Sequence, residues 1–183
     1  AGIREILLIT TPRDIERFQS LLGDGSCLGL NLVYAAQPRP KGIPDAFFIG
    51  EKFLDGAPCC LILGDNVFHG QGLGSLMRRT SGKIDDATIF CYQVDDPREF
   101  GVAVVDQTGK VLAVEEKPQS SSSCHAITGL YFFDGEACQF ARTLRPSARN
   151  ELEIVDLLRC YMDVGRLWAE TLRRGTALMD MGT

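Results

Sequence analysis

The sequence lacks the features that mark membrane, secreted and disordered proteins. Its longest apolar runs, at residues 59–63 and 126–133, are far shorter than the roughly 20 residues of a membrane span. The N-terminal residues do not have the layout of a signal peptide. No internal repeat is present, and a content of 45% hydrophobic and 23% charged residues predicts one ordinary globular domain. We therefore expect neither membrane insertion nor dominant disorder.

The sequence also lacks an excess of basic residues and a metal-binding pattern. It has 19 Lys and Arg against 24 Asp and Glu, a net charge of −5, which argues against a general nucleic-acid binder but allows a small anionic ligand. His69 and His125 are too few and too far apart to predict a metal site. The seven cysteines are odd in number and contain no CxxC pair, so they predict reduced thiols in a cytoplasmic protein.

The first half of the chain alternates between strand and helix patterns. We predict buried strands at 5–10, 30–36, 59–63 and 87–94, and helices at 12–22, 46–53 and 73–80. Thr11 is the predicted N-cap of the first helix, with Pro12 at its first position. Alternating elements with continuous apolar strands predict an α/β fold with a mostly parallel sheet that is covered on both faces.

The second half of the chain has a different pattern. A β-hairpin is predicted over 100–115, followed by strands at 126–133, 167–171 and 176–179 and by helices at 136–144 and 151–164. The four serines at 120–123 predict a solvated loop and not a domain linker. We therefore expect one domain with two parts: a nucleotide-binding half at 1–95 and a sugar-binding half at 96–183, in the terms of the family resemblance described below.

Aspartates follow two of the predicted strands. Asp65 comes directly after the strand at 59–63, at the edge where open α/β sheets bind ligands, and its carboxylate suits Mg²⁺. The alternative is a Gly-Asp-Asn turn without a ligand. Asp180 could complete the same metal site, or it could belong to a frayed terminus.

Other polar residues allow two interpretations each. The amide of Gln37 could read a nucleobase beside Gly42, or the loop at 37–42 could be a Pro-rich surface loop. Glu116 and Lys117 could bind a sugar phosphate, or they could form a solvated charge cluster. Glu151 could be one of the acidic residues that stabilise a helix start, with Asn150 as the cap.

Nine segments in this order resemble the sugar-phosphate nucleotidyltransferase family, and within it the glucose-1-phosphate thymidylyltransferases. They are AGIREILLITTP, LLGDGS, QPRPKG, LILGDNVFHG, YQVDDPREFGV, VEEKP, ITGLYFFD, ELEI and MDMGT. The resemblance implies a Rossmann-like three-layer sandwich. It also implies a Mg²⁺-dependent reaction in which dTTP and glucose 1-phosphate give dTDP-glucose and pyrophosphate, with these small molecules as the partners.

The resemblance also implies site roles for ten residues. The catalytic residues would be Asp65 and Lys117, and the Mg²⁺ ligands Asp65 and Asp180. The substrate-binding residues would be Gln37 and Gly42 for the base, Asn66 for the nucleotide sugar and phosphate, and Gly101, Glu116, Lys117, Ile127 and Glu151 for the sugar phosphate.

The family's first strand and Gly-rich loop, GGxGTRLxPLT, and its C-terminal helical part do not occur in these 183 residues. Because backbone N–H groups of that loop hold the triphosphate, we expect this chain alone to be weakly active or inactive. We also expect the strands at 5–10 and 59–63 to lack a shared neighbour, which favours a homo-oligomer.

A second departure from the family lies beside the predicted base loop. Ile43, Pro44, Asp45 and Ala46 stand where the family has Leu-Ala-Gln-Ala, so that Asp45 adds a negative charge close to the expected ligand. Two alternatives to an enzyme therefore stay open. The chain could be a non-catalytic sugar-nucleotide-binding module, or a structural or interaction protein that reuses the fold.

Overall fold

The computed structural model describes residues 2–82, 85–120, 123–172 and 175–180, which form an α/β fold. The helices are α1 Ile15–Leu22, α2 Asp45–Ile49, α3 Glu51–Leu54, α4 Leu73–Ser81, α5 Ala137–Thr143 and α6 Ile154–Asp163. The strands are β1 Glu5–Thr10, β2 Asn31–Ala36, β3 Cys59–Ile62, β4 Asn66–His69, β5 Ala87–Gln93, β6 Gly101–Val105, β7 Val111–Glu116, β8 His125–Phe133, β9 Leu167–Thr171 and β10 Ala177–Asp180. No helix in the described ranges is both long and apolar enough to cross a membrane.

The long strand β8 organises the central six-stranded sheet. Its first residues pair with β6, where Ala126 lies opposite Val102, and its last residues pair with β3, where Leu130 lies opposite Ile62. Strand β5 runs along the other side of β8, and β9 pairs with β5. Strand β7 completes the hairpin with β6. One strand thereby connects β3, which Asp65 follows, to the β6–β7 hairpin, which Lys117 follows.

The α/β fold class and the β-hairpin are confirmed, and the strand pairings add a detail that the sequence pattern missed. Strands β3, β5, β6 and β9 point the same way, but β8 runs opposite to them and lies in their midst. Of the described pairs, only β1–β2 and β5–β9 are parallel and five are antiparallel, so the sheet is mixed and the predicted mostly parallel pairing is wrong. Buried apolar strands look alike in either direction, because burial on both faces removes the polar alternation.

Apolar layers cover both faces of the central sheet. On one face, Phe133 packs edge-on against Phe47 of α2 and at a tilt against Tyr161 of α6, with ring centroids 5.3 and 5.6 Å apart. On the other face, Phe90 and Phe132 pack against the residues of α4. This arrangement of helix, sheet and helix is the predicted three-layer sandwich.

A buried ion pair ties the end of β8 to β9. Asp134 is 4% exposed, and its carboxylate accepts hydrogen bonds from the Tyr161 hydroxyl at 2.5 Å and from the Arg166 guanidinium. Arg166 also donates to Glu136. Because both oxygens of the carboxylate are hydrogen-bonded, charge-assisted hydrogen bonds offset the free-energy cost of burying its charge.

Two helix starts differ from the sequence prediction. Helix α1 begins at Ile15 with Asp14 as its N-cap, because the Thr11 hydroxyl donates to the Asp14 carboxylate at 2.7 Å and does not cap the backbone. Helix α6 begins at Ile154, not at 151, since Asn150 has a left-handed φ of 59°. The predicted helix at 46–53 is divided into α2 and α3 at Gly50.

Strand β4 was not predicted. It is short, with exposed and half-buried positions in alternation, and it is paired in the structure only with β10 from the far end of the described chain. No local pattern of four residues specifies such a partner.

Candidate functional site

The loop after β2 is held in place by backbone contacts with the segment before α6. The Leu152 N–H donates to the Lys41 carbonyl oxygen at 2.8 Å. Gly42 has φ +93°, and a Cβ atom at this position would lie 2.0 Å from the Leu152 carbonyl oxygen. Gly42 is therefore required by the packing of two loops, whereas the sequence suggested only a close approach to a ligand.

Gln37 and Asp45 form a pair inside this loop. The Gln37 Nε2 donates to Asp45 Oδ2 at 3.0 Å and to the Gly42 carbonyl oxygen at 3.4 Å. Asp45 is only 9% exposed, and its carboxylate faces the Gln37 amide. An open cleft of about 560 Å³ lies against the loop and is lined by Pro38, Arg39, Lys41, Asp45, Phe48 and Ile49.

The turn between β3 and β4 presents Asp65 to solvent. The Asn66 Nδ2 donates to Asp65 Oδ1 at 2.8 Å, and Asn66 Oδ1 accepts from the Gly129 N–H at 3.1 Å. A Cβ atom at Gly129 would lie 2.8 Å from Asn66 Oδ1 and from the Leu63 side chain. The close approach that Gly129 permits therefore fixes Asn66, and Asn66 in turn orients the Asp65 carboxylate.

The backbone of Asp180 lies beside this turn. In the antiparallel pair of β10 and β4, Asp180 is opposite Asn66, the neighbour of Asp65. The side chain of Asp180 and residues 181–183, the rest of the matching segment MDMGT, lie outside the described part of the chain. Among the described residues, no group of three or more His, Cys, Asp or Glu side chains forms a metal site.

Three of the residues expected to bind the sugar phosphate lie together. Gly101 and Glu116 are direct partners in the β6–β7 hairpin. A Cβ atom at Gly101 would lie 3.5 Å from Glu116 Oε2, 3.7 Å from Ile127 Cδ1 and 3.7 Å from a methyl group of Val155. A methyl group at Gly101 would thus be in ordinary van der Waals contact with a carboxylate and two apolar side chains, so these groups surround the Gly101 position.

Lys117 follows at the end of β7 in an unusual backbone conformation. Its φ is 41°, and its N–H donates to the Phe100 carbonyl oxygen at 3.1 Å. A left-handed conformation in a residue other than glycine costs about 1 to 3 kcal/mol and is common at functional sites. The side chain is exposed, so the ammonium group is available to a ligand.

Glu151 lies in the loop before α6 and not in the first helical turn as expected. Its carbonyl oxygen accepts a hydrogen bond from the Ser147 N–H at 2.8 Å. This loop contacts the base loop through Leu152, so Glu151 is positioned by the same segment that supports Gly42.

Arg149 was not predicted from the sequence. It donates to both carboxylate oxygens of Glu153, at 2.8 and 3.3 Å, and these bonds raise the pKa of Arg149, with smaller contributions from the charges of Glu151 and Glu116. The Ser147 hydroxyl also donates to Glu153 at 2.6 Å, and the two contacts together lower the pKa of Glu153. A fixed guanidinium therefore lies near two carboxylates of the expected sugar site.

Strand β8 connects the residues around Gly101 with those around Asn66. Ile127 and Gly129 are two positions apart and therefore face the same side of the sheet. Ile127 lies beside the Gly101 position, and Gly129 holds Asn66. The glycine inside an otherwise apolar strand was a sequence signal that could have identified Gly129. Arg149 and Glu153 carried only the i, i+4 spacing of an ion pair, and nothing in the sequence linked that pair to the sugar site.

Comparisons with known proteins identify the family of the chain. The family model described as "Nucleotidyl transferase" matches residues 1–183. The chain is 53% identical over 183 residues to the glucose-1-phosphate thymidylyltransferase of Xanthomonas campestris pv. campestris (strain B100), and 51% identical to that of Neisseria gonorrhoeae. All of the chain is matched in both cases, but it spans only 62% and 64% of those proteins.

Solved structures show the same fold. A Bacillus anthracis protein, described as a glucose-1-phosphate thymidylyltransferase in complex with a sucrose, matches with a TM-score of 0.84 and 33% identity. That match covers 97% of this chain and 71% of the other. A UDP-glucose pyrophosphorylase complexed with UDP-glucose matches in fold, with a TM-score of 0.83, 20% identity, and coverage of 100% of this chain and 77% of that one. The chain therefore belongs to the nucleotidyl transferase family.

Proposed function

We propose that the protein joins dTTP to glucose 1-phosphate and forms dTDP-glucose and pyrophosphate. A phosphate oxygen of glucose 1-phosphate would attack the α-phosphorus of dTTP in line, and the bond from that phosphorus to the bridging oxygen would break as pyrophosphate leaves. Such a reaction depends on positioning and on charge neutralisation, without a covalent enzyme intermediate. The similar thymidylyltransferases support this choice of nucleotide and sugar.

One observation carries the proposal: the base loop at 37–42 packs directly against the loop before α6 that holds Glu151. The bond between Lys41 and Leu152, and the Gly42 contact with Leu152, join the residues expected to read the base to the loop that holds Glu151. A nucleotide and a sugar phosphate bound at these loops would therefore be held next to each other, as transfer requires.

The proposed roles follow the contacts. Gln37 and Gly42 would bind the base, and Asn66 would lie beside the nucleotide sugar. Gly101, Glu116, Ile127 and Glu151 would form the sugar pocket, as the convergence of Gly101, Glu116 and Ile127 supports. Lys117, with Arg149, would neutralise phosphate charge.

The donor set at the turn after β3 fits Mg²⁺. Asp65 has one carboxylate oxygen bonded to Asn66 and a second without a hydrogen-bond partner in the described part of the chain. Mg²⁺ is commonly bound by one or two carboxylates together with substrate phosphates, so a site without three protein ligands is suitable. Asp65 and Asp180 would hold the ion, which would neutralise negative charge on the phosphates. Asn66 keeps the Asp65 carboxylate oriented for this role.

We propose a cytoplasmic location and small-molecule partners, which the seven free cysteines and the acidic composition support. For these 183 residues alone we expect weak or no turnover, because they contain no Gly-rich phosphate loop. The sequence alternative, a non-catalytic sugar-nucleotide-binding module, predicts the same binding with no turnover at all.

Calorimetric titration of the 183-residue chain with dTDP-glucose, with and without Mg²⁺, tests the proposal. We expect a micromolar Kd, about −8 kcal/mol, and a Mg²⁺-dependent gain that is lost in Asp65→Asn. Asp163→Asn, which changes an exposed carboxylate at the far end of α6, should bind like the wild type. If no heat is observed up to millimolar ligand, the proposal is wrong.

A further inference from the structure

The side-chain amide of Gln37 is bonded only on its nitrogen side. Both groups that face its Nε2 are acceptors: the Asp45 carboxylate at 3.0 Å and the Gly42 carbonyl oxygen at 3.4 Å. Neither a carboxylate nor a carbonyl group can donate a hydrogen bond. If the amide were rotated by 180°, its Oε1 would face two acceptors, so the orientation of the amide is determined by its surroundings.

This orientation leaves Gln37 Oε1 directed away from Asp45. Within the described ranges, Oε1 accepts no hydrogen bond, and the backbone N–H of Gly42 donates none. The loop therefore presents one free acceptor and, five residues later, one free donor. Asp45 is fixed in its turn, because it is nearly buried at the first position of α2.

We propose that Asp45 is a positioning residue that makes Gln37 an obligate hydrogen-bond acceptor and thereby selects uracil-type bases over cytosine. The inference rests on the proposed function, in which Gln37 contacts the base. The ring N3 of uracil and thymine carries a hydrogen that Oε1 can accept, whereas N3 of cytosine carries a lone pair that would face Oε1. Two opposed acceptors leave both groups without a hydrogen bond.

Asp45 is a residue at which this chain departs from the family pattern, which has glutamine at that position. A neutral amide in place of Asp45 could itself act as donor or acceptor, and only the Gly42 carbonyl oxygen, at 3.4 Å, would then oppose rotation of the Gln37 amide to suit either base. The carboxylate prevents that rotation. The Asp45 carboxylate therefore limits which base fits beside Gln37.

Binding of dUDP and dCDP by the 183-residue chain tests the proposal, because these nucleotides differ only in the pyrimidine edge. We expect the wild type to prefer dUDP by about tenfold, the effect of one unmade hydrogen bond. In Asp45→Asn, the preference should fall to about threefold or less, mainly through tighter dCDP binding. NMR titration to millimolar nucleotide measures both Kd values, and Asp163→Asn should retain the wild-type preference.

Three other results of this experiment would contradict the inference. If Asp45→Asn weakens both nucleotides equally, Asp45 has only a structural role and the inference is wrong. The inference is also wrong if the wild type binds both nucleotides equally. If neither nucleotide binds to a folded wild-type chain, the proposed function fails, and the inference that rests on it fails as well.

Discussion

At the scale of single residues, Gly42 combines a structural and a functional requirement. It stands at the point where the base loop touches the segment before α6, and its left-handed backbone lets Lys41 accept the Leu152 N–H. The position that we expect to read a nucleobase is thus also the position that sets the distance between two loops.

We expect Gly42→Ala to destabilise the chain by about 2 to 4 kcal/mol, from backbone strain together with the clash with Leu152. Gly56→Ala is the matched control, because Gly56 has φ +74° but no atom within 4 Å of its Cβ position. Urea denaturation of both variants measures the difference. Equal losses in the two variants would contradict a role for the Leu152 contact.

At the scale of elements, β5 shows a chemical consequence of burial. It lies between β8 and β9, and its first five residues are buried on both faces. Cys91 in this strand is 0% exposed, and burial raises the pKa of its thiol from 9.0 to about 12. Of the seven thiols, Cys91 is the only buried one, five are half-buried and Cys27 is exposed.

The raised pKa of Cys91 predicts a loss of stability at alkaline pH. Between pH 9 and about 12, the unfolded thiol loses its proton while the folded one keeps it. Since the native state then binds more protons, the free energy of unfolding falls as pH rises, by about 1.4 kcal/mol per unit for this group. Below pH 9 both the folded and the unfolded thiol keep the proton, so the free energy of unfolding is not reduced by this group.

Urea denaturation at pH 7.5 and pH 10 measures this effect in the wild type and in Cys91→Ala. The substitution should lower stability at pH 7.5 by leaving a small cavity, but it should also reduce the loss between the two pH values. Cys27→Ala is the control, because the Cys27 thiol is exposed. An identical pH dependence in wild type and Cys91→Ala would show that this thiol does not contribute.

The start of α6 shows how tertiary contacts override local helix signals. Asn150 and the acidic residues after it are a good helix start by composition, yet the helix begins at Ile154. The Leu152 N–H is bonded to Lys41, and Ser147 and Arg149 hold the Glu153 carboxylate. These contacts take the chain out of the helical conformation, and none of them is visible in the local pattern.

At the scale of the whole molecule, the unpaired edges of β1 and β3 bear on the association of chains. In the described residues, β1 pairs only with β2, and β3 pairs only with β8. Helix α1 has no buried residue, and Leu21 on it is 77% exposed. This agrees with the sequence expectation that the strands at 5–10 and 59–63 lack a shared neighbour. Unpaired edges beside apolar surface favour association of chains.

We therefore expect the 183-residue chain to self-associate. Light scattering over a concentration series should give a mass above the 20.1 kDa of one chain at high concentration, falling on dilution. Ile62→Lys at the β3 edge should weaken association, whereas Val164→Lys, after α6, should not; the two side chains are 52% and 53% exposed. A mass of 20.1 kDa at every concentration would contradict this prediction.

The sequence by itself determined the family, the α/β class and most elements of this protein. Those features depend on the order of motifs and on the spacing of apolar residues along short segments. Only the tertiary structure decided the antiparallel place of β8 in the sheet, the Gly42–Leu152 contact and the orientation of the Gln37 amide by Asp45. These features depend on which distant or oppositely facing groups meet, and local patterns carry no information about those partners.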